Sequence, residues 1–260
     1  MVRRDKANYL IQSVAHALDV LEQFSGEQDE LGVTELSRRL KLHKNNVFRL
    51  LATLEARGYI EQNKSTENYR LGIRCLQLGR NYIEQQGLVR QARAILAELA
   101  HKARESAFVA IARRHGMVAL EAADPSNRVV KIESLVGELL PLHCTAVGKV
   151  HLAFEPEEQV NVQLGEELKR YTEHTIVERP ALLEQLRSVA QQGYAADIGE
   201  FIEDVASVAV PVRDYTRSVV AALAVAGPAY RMSSERITQE LAQMVIEAGR
   251  KLSEKLGYKS

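Results

Sequence analysis

Cysteine is nearly absent from this 260-residue chain, which holds only Cys75 and Cys144. Two thiols exclude a disulfide framework and any four-thiolate zinc site built on one copy. Long apolar runs are missing as well. No stretch reaches the roughly 18 to 20 residues a bilayer span needs, and the N-terminus, Met1-Val2-Arg3-Arg4-Asp5-Lys6, has no apolar signal core behind it. A cytoplasmic protein without a membrane partner is therefore expected. No Gly-x-Gly-x-x-Gly follows a strand-like run, and Gly148-Lys149 lacks the upstream glycine of a phosphate loop, so no nucleotide site and no cofactor are expected. Net charge is absent too, at +0.

What remains is an ordinary globular composition, 46% hydrophobic and 26% charged, with a length that favours two domains over one. The zero net charge hides an asymmetry. Residues 1–80 carry 13 basic against 10 acidic side chains, and residues 81–260 carry 21 against 24. Locally the contrast sharpens, because Arg38, Arg39, Lys41, Lys44 and Arg49 lie between Leu36 and Leu54 with no acid among them. Such a patch suits either a phosphate-bearing partner or a solvated helix face.

Three helices are predicted in the first third. Val14, Leu18, Leu21 and Phe24, with Ala17 and Val20 between, recur at helical spacing behind Ser13, a good N-cap. Gly26 and the acidic stretch to Glu30 end that helix. A second starts on Thr34 as N-cap and runs to Leu40, and a third runs from Lys44 to Arg57 and stops at Gly58 in the C′ position. In the third, Val47, Leu50, Leu51 and Leu54 form an apolar stripe, leaving Lys44, Asn45, Asn46 and Arg49 outward or in the first turn. This is the helix-turn-helix arrangement, whose second helix lies in the major groove. There Asn pairs with adenine and Arg with guanine, while Lys holds phosphate. Tyr59–Gln62, a polar turn and Tyr69–Leu71 read as a hairpin, a wing whose Arg70 would touch backbone. The candidate DNA-binding residues are Thr34, Lys44, Asn45, Asn46, Arg49 and Arg70, acting on double-stranded DNA.

Further on, residues 73–90 read as a linker helix and Leu88–Arg104 as another. Phe108–Arg113, Val118–Ala123 and Val129–Glu133 read as strands, the first two joined at His115-Gly116. Thr145–Phe154 and Ala181–Gln192 read as helices, Ala206–Val212 and Val219–Ala226 as strands around the turn Asp214–Arg217, and about Ser234 to Leu256 as a long amphipathic helix. Hairpins with helices grouped between them indicate an α+β domain on an antiparallel sheet. The expected division is a winged helix-turn-helix over 1–72, a linker helix over 73–90 and a second domain over 91–260.

The chain resembles the IclR-type bacterial transcriptional regulators. The resemblance rests on Ile11–Leu21, on Asn46–Tyr59, on Tyr69-Arg70-Leu71-Gly72, and then in order on Leu140–Lys149, Gly193–Glu200, Val208–Asp214 and Ala224–Pro228. It covers about residues 10–257. It implies a GAF-like C-terminal effector domain, an antiparallel sheet flanked by helices, that binds a small organic acid. It also implies a homodimer or homotetramer whose grip on a palindromic operator changes with that acid. The family usually has Ser-Thr where this chain has Asn45-Asn46, so the operator sequence does not carry over, and His16 replaces a common Arg.

The residues fit that implication. Thr145 would N-cap a helix whose free amides, through Ala146, Val147 and Gly148, could hold a carboxylate, with Gly148 allowing a close approach of ligand or strand. The resemblance adds Asp197 and Ser207, the latter replacing a common Cys, and two last-strand positions that are often serine but here are Ala224 and Ala226. Each lost hydroxyl would leave an acid oxygen unpaired at about 1–3 kcal/mol, which points to a more apolar effector such as an aromatic or branched acid. For Asp197 a turn cap is the plainer alternative, for Ser207 satisfaction by backbone, and for His143 and Cys144 packing. His143 and His151 lie eight apart, which is no helical ligand pair, and no metal is expected. Two rivals stand beside the ligand-controlled repressor: a DNA-binder with a degenerate sensor, and an enzyme with Cys144 as nucleophile, His143 or His151 as base and Asp197 as orienter.

Overall fold

A computed structural model describes residues 10–25, 28–85, 87–125, 130, 132 and 135–259. The chain divides into two compact units between Gln85 and Gln86. Among the described residues no helix is long and apolar enough to cross a membrane.

The first unit contains α1 (Gln12–Glu22), α2 (Val33–Leu40), α3 (Lys44–Ala56), β1 (Ile60–Gln62), β2 (Tyr69–Leu71) and α4 (Ile73–Gln85). Its core is Val20, Phe24, Leu31, Leu36, Val47, Leu51, Leu54, Ile60 and Tyr69, with Ala17, Leu21 and Leu50 packed against it. Ser13 and Thr34 are not the caps expected of them. The amides of Val14 and Ala15 already bond to the Ile11 carbonyl, and Gly32 holds the cap position before α2, so both hydroxyl residues lie inside their helices. The face α1 buries is rotated from the expected stripe, with Val14 and Leu18 each 54% exposed. Lys41 turns the chain in the left-handed region at φ 54° between α2 and α3. Helix α3 ends as expected. With Gly58 at φ 76°, the Gly58 amide donates to Glu55 O at 2.8 Å and Tyr59 to Leu54 O at 2.9 Å, the paired bonds of a Schellman motif.

The hairpin β1–β2 pairs Ile60 with Leu71, Glu61 with Arg70 and Gln62 with Tyr69. Leu31 joins it by two backbone bonds of 2.9 Å with Tyr69. The Glu30 carboxylate then accepts from Asn63 Nδ2 at 2.7 Å and Thr66 Oγ1 at 2.8 Å, closing the wing turn. These two hydrogen bonds hold the Glu30 pKa below the usual carboxylate range. In sequence that glutamate reads only as part of an acidic helix stop.

The predicted linker helix over 73–90 stops earlier, and the helix expected at Leu88–Arg104 begins before Leu88. Helix α4 ends at Gln85, and α5 (Gly87–Ala103) takes Leu88 and Val89 into the second unit. Gly87 is the weak helix former at which the pattern breaks. In α5, Val89, Ala92, Leu96 and Leu99 are buried, whereas α4 buries no residue whose side chain is described.

The second unit is α+β. A six-stranded sheet runs in the order β5 (Leu139–Leu140), β4 (Gly116–Ala123), β3 (Ser106–Arg113), β8 (Val219–Pro228), β7 (Val205–Arg213) and β6 (Ala195–Ile198), with antiparallel neighbours throughout. The β3–β4 turn is Arg114-His115, one residue earlier than expected. The expected strand at Val129–Glu133 falls largely outside the described residues. Strand alternation sorts the sheet's two faces. Val210 meets Gly249 of α10 (Ala242–Lys255), which puts Val208, Val210 and Val212 on the α5/α10 side. Ser207 and Ala209 then face α6 (Ala146–Ala153), α7 (Glu157–Leu164) and α8 (Arg179–Gln192), whose core includes Ala146, Val147, Val150, Val160 and Leu186. The C-terminal helix is interrupted: α9 (Ser234–Arg236) and a π turn over Ile237–Leu241 precede α10.

Gly58→Ala puts a Cβ at positive φ, 3.1 Å from Arg74 Cγ. It is expected to cost the first unit about 1–2 kcal/mol, read as a lower thermal midpoint, with α3 still helical by circular dichroism.

Candidate functional site

Helix α3 presents its cations because its other side is committed. Val47 and Leu51 are fully buried, which turns Lys44, Asn45, Asn46 and Arg49 to solvent. No side chain caps α3 at His43, and with the Asn46 amide donating to His43 O at 2.9 Å the Lys44 and Asn45 amides are those left to an anion. The basic patch is smaller than the sequence count suggests. Arg38 and Arg39 both bond Glu35 at 2.7 Å, and Glu35 lies one residue outside the acid-free window. Hydrogen bonds from the two guanidinium groups pull the Glu35 carboxyl down to about 2. Lys44 and Arg49 have no acidic partner among the described residues. Arg70 stands on the wing opposite Glu61, with a 3.4 Å cross-strand ion pair that solvent screens. Thr34 is exposed on the first turn of α2.

The second cluster forms where α6 crosses β6, β7 and β8. Register sets Asp197, Ser207 and Ala226 side by side in one row, and Ala195, Ala209 and Ala224 in the next. The alanines and Val147 join one core cluster, so helix and sheet positions predicted from sequence meet here. Thr145 does cap α6: its Oγ1 accepts from Gly148 N at 3.1 Å and donates to Pro141 O at 2.6 Å. That cap corrects the expectation for Gly148, whose amide is taken. Its missing side chain serves the backbone of Leu142, since a Cβ would stand 2.3 Å from Leu142 O. The amides of Ala146 and Val147 are the ones left to a ligand.

Asp197 is a turn cap as well as a pocket candidate, accepting from Glu200 N at 2.8 Å. Burial is the largest cause that raises its carboxyl to about 7 from 3.8, and the Glu200 charge adds to it. The sequence reading missed Lys149 and Glu200. Lys149 is fully buried, donates to the Glu200 carboxylate, and reaches Ala196 O at 3.3 Å. Glu200 Oε2 is buried with no hydrogen-bond partner among the described residues. A lysine in the otherwise apolar run Ala146-Val147-Gly148-Lys149-Val150 is the signal that could have found this pair, because a buried ammonium requires a counter-charge.

The enzyme constellation does not assemble. His143 donates Nε2–H to Lys169 O at 2.9 Å, and burial holds its pKa below the ordinary histidine value. His151 Nε2 lies 2.8 Å from Gln163 Oε1. Cys144 is fully buried and its thiol is pushed up to about 12, leaving no thiolate to attack.

With this geometry in hand, comparison with known proteins gives a consistent result. The family described as "Bacterial transcriptional regulator IclR C-terminal" matches residues 80–254, and "IclR helix-turn-helix domain" matches residues 13–64. The chain is 35% identical over 255 residues to the HTH-type transcriptional regulator KdgR of Escherichia coli (strain K12), covering 98% of this chain and 96% of that one. It superposes on the IclR transcriptional regulator of Alicyclobacillus acidocaldarius with TM-score 0.84 and 27% identity, over 95% of this chain and 99% of that chain. An IclR homolog of Microbacterium hydrocarbonoxydans, complexed with 4-hydroxybenzoate, shares the fold at TM-score 0.80 and 24% identity, over 94% of this chain and 99% of that one.

The folded protein holds the Asp197 proton up to about pH 7, whereas the unfolded chain releases it near 3.8. Stability therefore falls as pH rises between those values, and the full cost of the buried charge is present above pH 7. Asp197→Asn is expected to raise the thermal midpoint of the second unit at pH 8, with a gain that shrinks toward pH 4. An equal gain at both pH values would contradict this account.

Proposed function

The chain belongs to the IclR family of bacterial transcriptional regulators, and on that footing we propose a ligand-responsive repressor whose C-terminal unit senses a small organic acid. As a member it is a DNA-binding regulator, not an enzyme. The observation that carries the reading is the outward face of α3, where Asn45, Asn46, Lys44 and Arg49 stand exposed beside an uncapped helix N-terminus and a wing. In a homodimer, or a homotetramer built from two of them, paired α3 helices enter successive major grooves of a palindrome. Arg49 and the asparagines read base edges, and Lys44, Thr34 and Arg70 hold phosphates. Residues 1–72 are taken as the DNA-binding domain, and α4 as the segment that connects it to the sensor.

Association of copies has a physical motive. Ile11 before α1, Val14 and Leu18 of α1, and Ile73, Leu76, Leu78 and Tyr82 of α4 are large apolar residues left exposed in the first unit. A change in how two such copies meet would change half-site spacing, which is how ligand in the sensor is proposed to act on DNA.

For the sensor, an acid carboxylate would take the open amides of Ala146 and Val147, with Asp197 and Ser207 as polar partners. Ala224 and Ala226 would face the effector's apolar body. That the Microbacterium protein, which shares the fold, is complexed with 4-hydroxybenzoate supports this reading. The charge balance at the site adds a condition. Lys149 is already paired with Glu200, so an incoming carboxylate favours the protonated form of Asp197.

Two measurements test the proposal. If six to ten phosphates are contacted, affinity for duplex DNA falls about 10³- to 10⁵-fold between 50 and 200 mM salt. Arg49→Ala further weakens specific binding by about 1–3 kcal/mol, and a flat salt response counts against the α3 interface. In calorimetry on an acid panel, aromatic or branched acids are expected to bind better than a two-carbon acid. Binding should take up protons above pH 7 and weaken as pH rises. A clear preference for the two-carbon acid overturns the apolar effector.

A further inference from the structure

Helix α3 carries one side chain that neither its packing nor its charge explains. Phe48 is 57% exposed, although it lies between the fully buried Val47 and the outward Arg49. The first-unit core closes without it, on Val20, Phe24, Leu36, Val47, Leu51, Leu54, Ile60 and Tyr69. At 100° per residue Phe48 stands 60° from Asn45 and 100° from Arg49, and the exposed Ala52 follows one turn later. The outward surface of α3 is thus an amide, a guanidinium and an aromatic ring, with a methyl-sized residue leaving space beside the ring.

We propose that Phe48 reads the C5-methyl group of a thymine in the major groove. This inference rests on the reading of α3 as the groove-entering helix. Among the groups that base pairs expose in that groove, the thymine methyl is the apolar one, and a Phe ring is a partner suited to cover it. Asn45, three residues earlier on the same face, is placed to take adenine N6 and N7 of the same or the adjacent pair. Together the two side chains would select an A·T step in each half-site. A second copy of the protein is a poorer occupant for this ring. Lys44 and Arg49 flank it without acidic partners among the described residues, so two such faces would bring like charges together, whereas DNA neutralises them.

The test uses the full chain. Duplexes are first selected from a random pool, and the selected sequence is then synthesised with each dT replaced singly by dU, which removes the methyl and keeps every hydrogen-bonding group. Burial of one methyl corresponds to about fourfold in affinity, and to about fifteenfold when both half-sites are changed. Wild-type protein is expected to lose that much at one dT per half-site. Phe48→Ala should bind dT and dU duplexes equally, and Phe48→Leu should restore part of the difference. The Phe48→Ala thermal midpoint and affinity for unselected duplex should stay close to wild type. The inference is overturned if no dT is sensitive, or if Phe48→Ala keeps the sensitivity. It is also overturned if Phe48→Ala dissociates the oligomer while leaving the dU pattern intact. Failure of the α3 reading looks different: no sequence is enriched in the selection, or Arg49→Ala binds the selected duplex as tightly as wild type.

Discussion

Burial of one side of α3 is the constraint from which the function of the first unit follows. Val47, Leu51 and Leu54 sink into a core shared with α1, α2 and the wing. A 13-residue helix anchored along that line cannot rotate without exposing the stripe, and each large apolar side chain so exposed costs about 1.5–3 kcal/mol. The same anchoring therefore fixes Asn45, Phe48 and Arg49 as the outward surface. The turn before α3 is held by Lys41 in the left-handed region and by Ser37, whose Oγ donates to Leu42 O at 2.6 Å. The wing is held by Glu30 and by the bridge from Leu31 to Tyr69. Packing supplies the rigidity, and recognition uses what packing leaves over.

The second unit applies the same economy to a sheet. Alternation puts Val208, Val210 and Val212 toward the α5/α10 side and leaves small residues, Ser207, Ala209, Ala224 and Ala226, toward α6. A surface of alanines contributes little burial, so α6 is secured by other means: the Thr145 cap, the close fit of Gly148 on Leu142, and the buried Lys149–Glu200 pair. A buried pair with one carboxylate oxygen unsatisfied among the described residues is a costly way to hold a helix. Burial holds the proton on Asp197, with the Glu200 charge adding to it and Lys149 opposing it, so the protonation of that residue responds to whatever anion comes near.

Much of this was legible in the sequence because it rests on local rules. Helix α3, its glycine stop, the wing and the long strands β3, β4, β7 and β8 each have enough residues for periodicity to speak. The short elements β5, β6 and α7 do not; α7 buries only Val160 and Leu164, too few to mark a period. The caps at Ser13 and Thr34 were misplaced because a good capping residue signals a helix start only to within a residue or two. The boundary between the linker helix and the next one falls a few residues earlier than the pattern suggests, because Gly87 is the one local signal of a break between α4 and α5.

By itself the sequence determined the α+β class, the order of the modules and the outward turn of Lys44, Asn45, Asn46 and Arg49 on α3. All of these follow from periods of 3.6 and 2 written along the chain, whereas the positions on the α6 side of the sheet came from the resemblance to the IclR family. Tertiary structure decided the pairing of Lys149 with Glu200 across 51 positions. It decided as well the backbone-driven need for Gly148 and the exposure of Phe48, Val14 and Leu18. These depend on which surfaces fold against one another and on how water is excluded between them, and no local period encodes that.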